Sequence, residues 1–307
     1  MGKIAFVFSG QGAQYPGMGE ELAKVSPAAK AVFDIAESIR PGTKEQCFHG
    51  DAEILSETNN TQPCMFAMEL ACAKALEEQG IRADVAAGFS LGELTALCEA
   101  EVAELGEMFR LICRRGELMQ QAAKEHPASM AAVVKLSAET VVELCQDIPD
   151  LYPVNFNCPG QVSVSGEPER VAQLKERVRE AGGRLIPLKV KGGFHSPFLA
   201  NAGAAFEKEL RQAKLNQTAI PVYANVDGAV YGENIADKLS QQMTSPVQWE
   251  QTIRNMIADG VNVFVELGPG ETLCGMIQRI DPNVTVCHVS DEKTLAETIV
   301  CCQKARP

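Results

Sequence analysis

The pentapeptide Gly88-Phe89-Ser90-Leu91-Gly92 constrains the fold more than any other stretch of this chain. It has the Gly-x-Ser-x-Gly form of a nucleophile elbow, which needs a strand before it and a helix after it. Mostly small apolar residues occupy positions 83–87, and mostly helix-compatible residues occupy positions 93–100. The glycines permit a sharp turn that exposes the serine hydroxyl at a helix N-terminus, where negative charge is favoured. Taken alone, the pentapeptide fits a glycine-flanked serine in an ordinary loop equally well.

The stretches on either side of the elbow alternate strands with helices. An almost continuous apolar run at 4–8 is typical of a strand that is buried on both faces of a sheet. Such alternation predicts a mostly parallel sheet with helices on both faces. We therefore expect a large α/β-hydrolase-like domain that comprises residues 1–126 and 194–307. Its expected strands are at 4–8, 83–87, 221–225, 263–267 and 285–289, and its longer expected helices are at 28–39, 64–79, 105–125, 198–214, 249–259 and 273–280.

The middle of the chain has a different order of elements. Its patterns predict strand, helix, strand, strand, helix and strand, with a hairpin-type turn at 157–160 between the two central strands. This βαββαβ order is that of the ferredoxin-like unit. We expect a small ferredoxin-like domain at 127–193, inserted into the large one, with His126-Pro127 and Gly192-Gly193 as hinges. The predicted strands are at 130–136, 152–156, 161–165 and 184–190, and the helices are at 138–147 and 170–181.

Composition narrows the classes of partner and compartment. The formal net charge of -12 over 307 residues argues against nucleic acid and anionic membranes as main partners. No apolar run approaches the length of a membrane span. The 11 cysteines are scattered and form no Cys-x-x-Cys pair, which indicates reduced thiols and a cytoplasmic protein. The cysteine and histidine spacings give no zinc site, so we expect no metal. We also expect no other cofactor and a monomer.

A serine needs a base to act as a nucleophile at neutral pH, and the chain has only four histidines. His195 lies in Gly192-Gly193-Phe194-His195-Ser196-Pro197, where the chain leaves the predicted small domain. A glycine-flexible segment at a domain interface suits a catalytic side chain, so His195 is the first candidate. His288, in the last predicted strand, is the second, because the Ser, acid, His order of hydrolases favours it. His49 and His126 lie in a loop and at the domain junction.

An oxyanion that forms next to Ser90 would need two backbone amides as donors. Leu91 supplies one, because the residue after the nucleophile carries the first donor of an oxyanion hole. The second has to come from another loop at the same edge of the sheet. Gly10-Gln11-Gly12 follows the first predicted strand and therefore lies at that edge. The Gln11 amide is the best candidate, and a plain glycine-rich turn is the alternative.

Six short motifs occur in order along nearly the whole chain. They are Phe8-Ser9-Gly10-Gln11-Gly12-Ala13-Gln14, Gly88-Phe89-Ser90-Leu91-Gly92-Glu93, Arg115-Gly116, Phe194-His195-Ser196, Pro246-Val247-Gln248-Trp249 and Glu266-Leu267-Gly268-Pro269-Gly270. Each motif alone is weak, but six at these spacings are specific. Together they resemble the malonyl-CoA:acyl-carrier-protein transacylases, the stand-alone acyltransferases of bacterial fatty acid synthesis.

The resemblance implies a ping-pong reaction through a serine ester. A malonyl group would pass from malonyl-CoA to Ser90 and then to the phosphopantetheine thiol of acyl carrier protein. His195 would be the base, and the Leu91 and Gln11 amides would form the oxyanion hole. The resemblance also implies that the backbone carbonyl of Gln248 orients the histidine, in place of the acidic third member of a hydrolase triad.

Three further side chains are implied in binding the acyl group, in addition to Gln11. Arg115 matches the arginine that pairs with the free carboxylate of the malonyl group, and a bidentate guanidinium suits a planar carboxylate. Phe194 would occupy the space that an α-methyl group needs, so it would favour malonyl over branched groups. Phe89 departs from the family, which usually has histidine there, and this puts the acyl preference in question.

Other functions stay open at this point. The chain could serve a polyketide or related pathway, act as a serine esterase or thioesterase, or be a non-enzymatic docking domain. Carrier proteins are usually acidic, so docking to this acidic chain needs a local basic patch. A solvated helix face explains the same charges equally well. The candidates for the patch are Lys175, Arg177, Arg179, Arg184, Lys189 and Lys191.

Overall fold

The computed structural model describes residues 2–305, with Lys191 described by its backbone alone. The strands are β1 Lys3–Phe8, β2 Val85–Gly88, β3 Ser129–Val134, β4 Leu151–Cys158, β5 Gln161–Gly166, β6 Arg184–Lys191, β7 Val222–Tyr223, β8 Val261–Leu267 and β9 Thr285–Val289. The helices are α1 Glu20–Val25, α2 Pro27–Ile39, α3 Thr43–His49, α4 Ala52–Leu55, α5 Thr58–Glu78, α6 Gly92–Glu99, α7 Leu105–Glu125, α8 Ala138–Gln146, α9 Pro168–Glu180, α10 Ala200–Gln212, α11 Ile235–Gln242, α12 Trp249–Ala258, α13 Thr272–Ile280 and α14 Glu292–Ala305, and a 3₁₀ turn at Pro197–Leu199 precedes α10.

Five parallel strands form the larger sheet, in the order β7-β2-β1-β8-β9. The central strand β1 is buried on both faces. Ile4, Phe6 and Phe8 point into one apolar cluster, while Ala5 and Val7 point into another, because side chains alternate along a strand. Helices therefore cover both faces, as the near-continuous apolar run predicted. The prediction of a mixed α/β fold with a parallel sheet is confirmed.

The loops that follow β1 and β2 lie side by side at the carboxyl edge of this sheet. Phe8 is paired with Gly88, and the Phe89 amide donates a hydrogen bond of 2.9 Å to the Phe8 carbonyl. The Ser9 amide in turn donates to the Leu267 carbonyl at the end of β8. Since parallel strands end at a common edge, residues far apart in sequence are brought next to the elbow.

The second sheet is antiparallel, with the strand order β4-β5-β3-β6. It is built from strand β3, helix α8, strands β4 and β5, helix α9 and strand β6, and these elements enclose an apolar cluster of their own. Strand β4 also contacts the segment before α12. There the Val247 amide donates to Val154 at 2.8 Å, and the Phe156 amide donates to Val247 at 2.9 Å. This short ladder joins the second sheet to the segment before α12, where the Gln248 amide donates to the Asn225 carbonyl at 2.8 Å.

Helix α11 was absent from the expected elements, as were α3 and α4. It is only eight residues long, and the buried apolar residues within it are Ile235 and Leu239, one turn apart. A single apolar repeat gives too little periodicity to be recognised in sequence. Within residues 2–305, no helix combines the length and apolar character that a membrane span requires.

The two glycines of the elbow are required by close backbone contacts. A Cβ atom on Gly88 would lie 1.9 Å from the carbonyl carbon and oxygen of Gly92, and one on Gly92 would lie 2.4 Å from the Phe8 carbonyl oxygen. No rotamer change relieves a clash with backbone atoms.

We expect Gly88→Ala to lower the free energy of unfolding by about 3 kcal/mol, because the elbow must open to admit the methyl group. Gly275→Ala is the matched control: it lies in α13, a Cβ there meets no atom within 4 Å, and the change should stabilise the helix by about 0.5–1 kcal/mol. Denaturant unfolding of both variants measures the difference. Equal stabilities would contradict this account of the elbow.

Candidate active site

Ser90 lies at the turn between β2 and α6 in a left-handed backbone conformation. Its φ angle is 57°, which is costly for a residue with a Cβ and persists only where the surroundings enforce it. Asn225, two residues after β7, enforces it. The Ser90 amide donates to Asn225 Oδ1 at 2.8 Å, and Asn225 Nδ2 donates to the Gly88 carbonyl at 2.6 Å. The side chain of Asn225 thus clamps both arms of the elbow.

His195 is placed directly against the serine. Its Nε2 atom lies 2.7 Å from Ser90 Oγ, and its Nδ1 atom lies 2.9 Å from the backbone carbonyl oxygen of Gln242. A carbonyl only accepts, so Nδ1 carries the proton and Nε2 is free to accept the serine proton. Burial and the positive charge of Arg115 lower the pKa of His195 to about 4, which keeps the ring neutral near pH 7. This is the protonation state that a general base needs.

The glutamine carbonyl that orients His195 belongs to Gln242, so the prediction of Gln248 for this role was wrong. The Gln248 carbonyl instead accepts hydrogen bonds of 2.9 Å from the amide and the hydroxyl of Thr252, in the first turn of α12. That helix uses the carbonyl of its N-cap residue and leaves none for a histidine. Gln242 is the last residue of α11, where a helix leaves its carbonyls unpaired.

Arg115 reaches the same hydroxyl from helix α7. Its side chain is fully buried, and Nη2 donates to Ser90 Oγ at 3.3 Å and to Gln242 Oε1 at 2.8 Å, while Nη1 donates to Gln62 Oε1 at 2.9 Å. Burial lowers the pKa of Arg115 to about 10, so the guanidinium remains charged near pH 7. Within the described chain, Nε has no hydrogen-bond partner. The group therefore has donors left for an anion.

Two backbone amides near Ser90 are available to an oxyanion. Within residues 2–305, neither the Gln11 amide nor the Leu91 amide donates to a protein group. The Gln11 side chain donates to Thr58 Oγ1 at 3.2 Å. Both residues line the same small pocket as Ser90 and His195. Two loops at one sheet edge therefore each present an amide donor beside the pocket of Ser90.

The pocket lies between the elbow and the second sheet. Its wall is largely apolar, and it shares Gln11, Phe89, Asn155 and Leu188 with a larger cavity of about 270 Å³ that continues between the two sheets. The Phe89 ring packs edge-on against Trp249, with centroids 5.5 Å apart. Phe89 lines both cavities. The apolar residues of the smaller pocket include Met119, Met130, Leu188, Val190 and Phe194.

The other histidines take no part in this arrangement. His288 lies on β9 with its Nε2 atom 3.6 Å from the Glu271 carboxylate, and His49 ends α3. Among residues 2–305, no group of three or more His, Cys, Asp or Glu side chains is arranged to hold a metal ion. Sequence reasoning did not identify Gln62, Glu93, Asn225 or Gln242, because isolated polar residues that become buried carry no periodic signal.

Comparison with known proteins relates this chain to one family of enzymes. Residues 5–292 match the acyl transferase domain family. The malonyl CoA-acyl carrier protein transacylase of Bacillus subtilis is 36% identical over 303 residues, covering 96% of each chain. The protein of the same name from Escherichia coli is 33% identical, covering 97% of this chain and 99% of that one.

Solved structures agree over the same length. The malonyl CoA-acyl carrier protein transacylase of Clostridium perfringens superposes with a TM-score of 0.95 at 34% identity, covering 99% of this chain and 98% of that one. A malonyl-transacylase solved in complex with a type II PKS acyl-carrier protein gives 0.94 at 31% identity, covering 97% and 99%. The chain therefore belongs to the acyl transferase family, and within it to the malonyl CoA-acyl carrier protein transacylases.

Proposed function

We propose that this enzyme moves a malonyl group from malonyl-CoA to the phosphopantetheine thiol of acyl carrier protein, through an ester on Ser90. The observation that carries the proposal is the position of one hydroxyl, which lies 2.7 Å from a neutral imidazole and 3.3 Å from a buried guanidinium. The imidazole activates the hydroxyl, and the guanidinium explains why the acyl group bears an acid.

In the first half-reaction Ser90 Oγ attacks the thioester carbonyl carbon and its proton passes to His195 Nε2. The carbonyl electrons move to oxygen, and the oxyanion accepts hydrogen bonds from the Gln11 and Leu91 amides. Collapse of this intermediate breaks the carbon–sulfur bond. The CoA thiolate takes the proton from His195, and a malonyl ester remains on Ser90.

The second half-reaction runs the same steps with a different thiol. The phosphopantetheine thiol gives its proton to His195 while its sulfur attacks the ester carbonyl. Collapse then releases Ser90 Oγ, which recovers the proton from Nε2. One histidine serves as base and then as acid in each half, and the backbone carbonyl of Gln242 keeps its Nδ1 proton in place throughout.

The malonyl carboxylate also affects the base. Arg115 lowers the pKa of His195 by its positive charge, after the larger effect of burial. A carboxylate that pairs with Arg115 offsets this charge, so the pKa of His195 rises when a malonyl donor is bound. An acyl-CoA without a free carboxylate does not raise the pKa of His195 in this way. This difference adds to the selectivity for malonyl-CoA that the ion pair with Arg115 supplies.

Phe194 and Phe89 limit the shape of the acyl group. Phe194 is 6% exposed and lines the pocket next to His195, where its ring occupies the volume that an α-methyl branch needs. Phe89 replaces a polar ring by an apolar one, which rests on Trp249 and faces both cavities. It positions the acyl chain by contact alone, since it offers no hydrogen bond.

The remaining assignments concern organisation. Residues 1–126 and 194–307 form an α/β-hydrolase-like domain, and residues 127–193 form an inserted ferredoxin-like domain, supported by the strand order β4-β5-β3-β6. The eleven cysteines all lie within the described residues and none of them forms a disulfide, which supports a cytoplasmic location. The enzyme acts as a monomer and without a cofactor.

Fatty acid synthesis is its primary pathway, and polyketide synthesis is the second candidate because of the similar transacylase bound to a type II PKS carrier protein.

The carrier protein docks beside the edge strand β6. Arg184 and Lys189 are exposed on this strand, and the two neighbours of Lys189, Leu188 and Val190, line the pocket of Ser90. Other candidates of the basic patch are partly neutralised: Arg177 pairs with Asp147 at 3.7 Å, and Arg179 pairs with Glu176 at 2.6 Å. Arg184 and Lys189 therefore give the acidic carrier a local attraction at β6.

Intact mass measurement after mixing with malonyl-CoA tests the serine ester. We expect one malonyl adduct on the wild-type chain and none on Ser90→Ala, because the adduct requires the hydroxyl. His195→Ala should acylate at least about 100-fold more slowly, whereas His288→Ala should acylate at the wild-type rate. An adduct on Ser90→Ala would reject the proposed nucleophile, and a slow His288→Ala would point to a hydrolase-like arrangement.

Replacement of Arg115 tests the recognition of the acid. Arg115→Ala should lower kcat/KM for malonyl-CoA by about 100-fold or more, through loss of a buried charge-assisted pair, and lower it far less for acetyl-CoA. Arg114→Ala is the matched control, since Arg114 is the exposed neighbour on the same helix and pairs with Glu117 and Glu209. Equal losses for the two donors in Arg115→Ala would contradict the assignment.

Phe194→Ser tests the exclusion of branched groups. The smaller side chain opens the pocket next to His195, so the rate with methylmalonyl-CoA relative to malonyl-CoA should rise by about tenfold. Competition between the two donors, read by the mass of the acyl-enzyme, measures this ratio directly. An unchanged ratio would show that another residue sets the limit.

A further inference from the structure

One buried glutamate near the nucleophile has no part in the reaction described above. Glu93 is the second residue of α6, three positions after Ser90, and its side chain is fully buried. Its carboxylate accepts three hydrogen bonds: from the Tyr231 hydroxyl, from Gln242 Nε2 at 2.8 Å and from the backbone N–H of Asn225 at 3.2 Å. A buried carboxylate is tolerated only when it is satisfied in this way.

The partners of Glu93 are the residues that hold the site together. Asn225 clamps the Ser90 amide, and Gln242 supplies the carbonyl that accepts from His195. Gln242 also touches the site with both ends of its side chain. Nε2 donates to the Ser90 carbonyl at 2.6 Å, and Oε1 accepts from Arg115 at 2.8 Å. A change at Glu93 is therefore transmitted to the nucleophile, the base and the guanidinium.

Glu93 and the Ser90 carbonyl together decide which end of the Gln242 amide faces Arg115. An ionised carboxylate and a backbone carbonyl both only accept, so Glu93 and the Ser90 carbonyl each require the NH₂ end of the amide on their side. The oxygen end must then face the guanidinium, which only donates. With the amide reversed, NH₂ and guanidinium donors would face each other, and Arg115 would move away from Ser90.

We infer that Glu93 is a positioning residue for the acid-bearing acyl group, which acts through the side-chain amide of Gln242 to hold the Arg115 guanidinium beside Ser90. This rests on the proposed role of Arg115 as the partner of the malonyl carboxylate. Burial raises the pKa of Glu93 to about 7, while its three hydrogen-bond donors and the charge of Arg115 oppose this rise and favour the carboxylate. The charge of Glu93 in turn favours the charged form of the buried Arg115.

A chemical argument explains why the Gln242 amide lies between Glu93 and Arg115. A carboxylate in direct contact with Arg115 would form a strong bidentate pair and compete with the substrate acid. The three side chains to which Arg115 donates are neutral: Gln62, Ser90 and Gln242. Glu93 stands behind one of them, so it stabilises the buried cation and leaves donors free for the substrate.

Glu93→Gln tests the inference, because it keeps the shape of the side chain and removes the charge and the obligatory acceptor. We expect kcat/KM for Ser90 acylation by malonyl-CoA to fall by about 10- to 100-fold, mostly through KM, and that for acetyl-CoA to change by less than about 3-fold. Quenched-flow mass measurement with each donor gives both values. Equal falls for malonyl-CoA and acetyl-CoA would overturn the inference.

Glu69→Gln is the matched control for loss of a buried carboxylate. Glu69 is equally buried, but its partners are the Ser9 and Thr95 hydroxyls, and it has no contact with Arg115. Any loss in this variant should be the same for both donors. Should Glu93→Gln fail to fold, Tyr231→Phe removes one donor to Glu93 and keeps the carboxylate. It should lower the malonyl-to-acetyl ratio by about threefold, and an unchanged ratio would overturn the inference.

Arg115→Ala, measured alongside, separates this inference from the assignment on which it rests. If Arg115→Ala leaves the malonyl-to-acetyl ratio unchanged, Arg115 does not bind the acid, and the roles of both residues are rejected. If Arg115→Ala lowers the ratio and Glu93→Gln does not, only the role of Glu93 is rejected.

Discussion

The left-handed conformation of Ser90 is the constraint on which the site depends. A sharp turn at the end of β2 projects the hydroxyl toward the second sheet, and it exists only because glycines at 88 and 92 let backbone atoms approach closely. Asn225 holds the turn from the side of β7. The base, the guanidinium and the two free amides all converge on a hydroxyl whose place is determined by this turn.

Burial controls the charges around that hydroxyl. Arg115, Glu93 and His195 lie out of solvent, and each would be costly alone. The cation and the carboxylate compensate each other through the Gln242 amide, while the imidazole stays neutral because burial and the nearby cation disfavour a second positive charge. Under the proposed function, the malonyl group supplies a further carboxylate that pairs with Arg115.

Strong local patterns were sufficient to predict the parallel sheet and the elbow. The apolar run of β1 and the bounds of α7, whose predicted range of 105–125 is the observed one, follow from periodicity alone. Helix α11 was missed because eight residues give one apolar repeat, and the role of its last residue, Gln242, was assigned to Gln248. A glutamine carbonyl looks the same at either position until the hydrogen bonds of α12 are known.

The sequence by itself determined the element order, the sharp turn at Ser90 and the set of residue types needed for acyl transfer, because these depend on local backbone preference and side-chain chemistry. Only the tertiary structure decided which histidine meets Ser90, which carbonyl holds that histidine, and which amide separates Glu93 from Arg115. These contacts join residues up to 149 positions apart, and they exist because parallel strands end at a common edge and the second sheet packs over it.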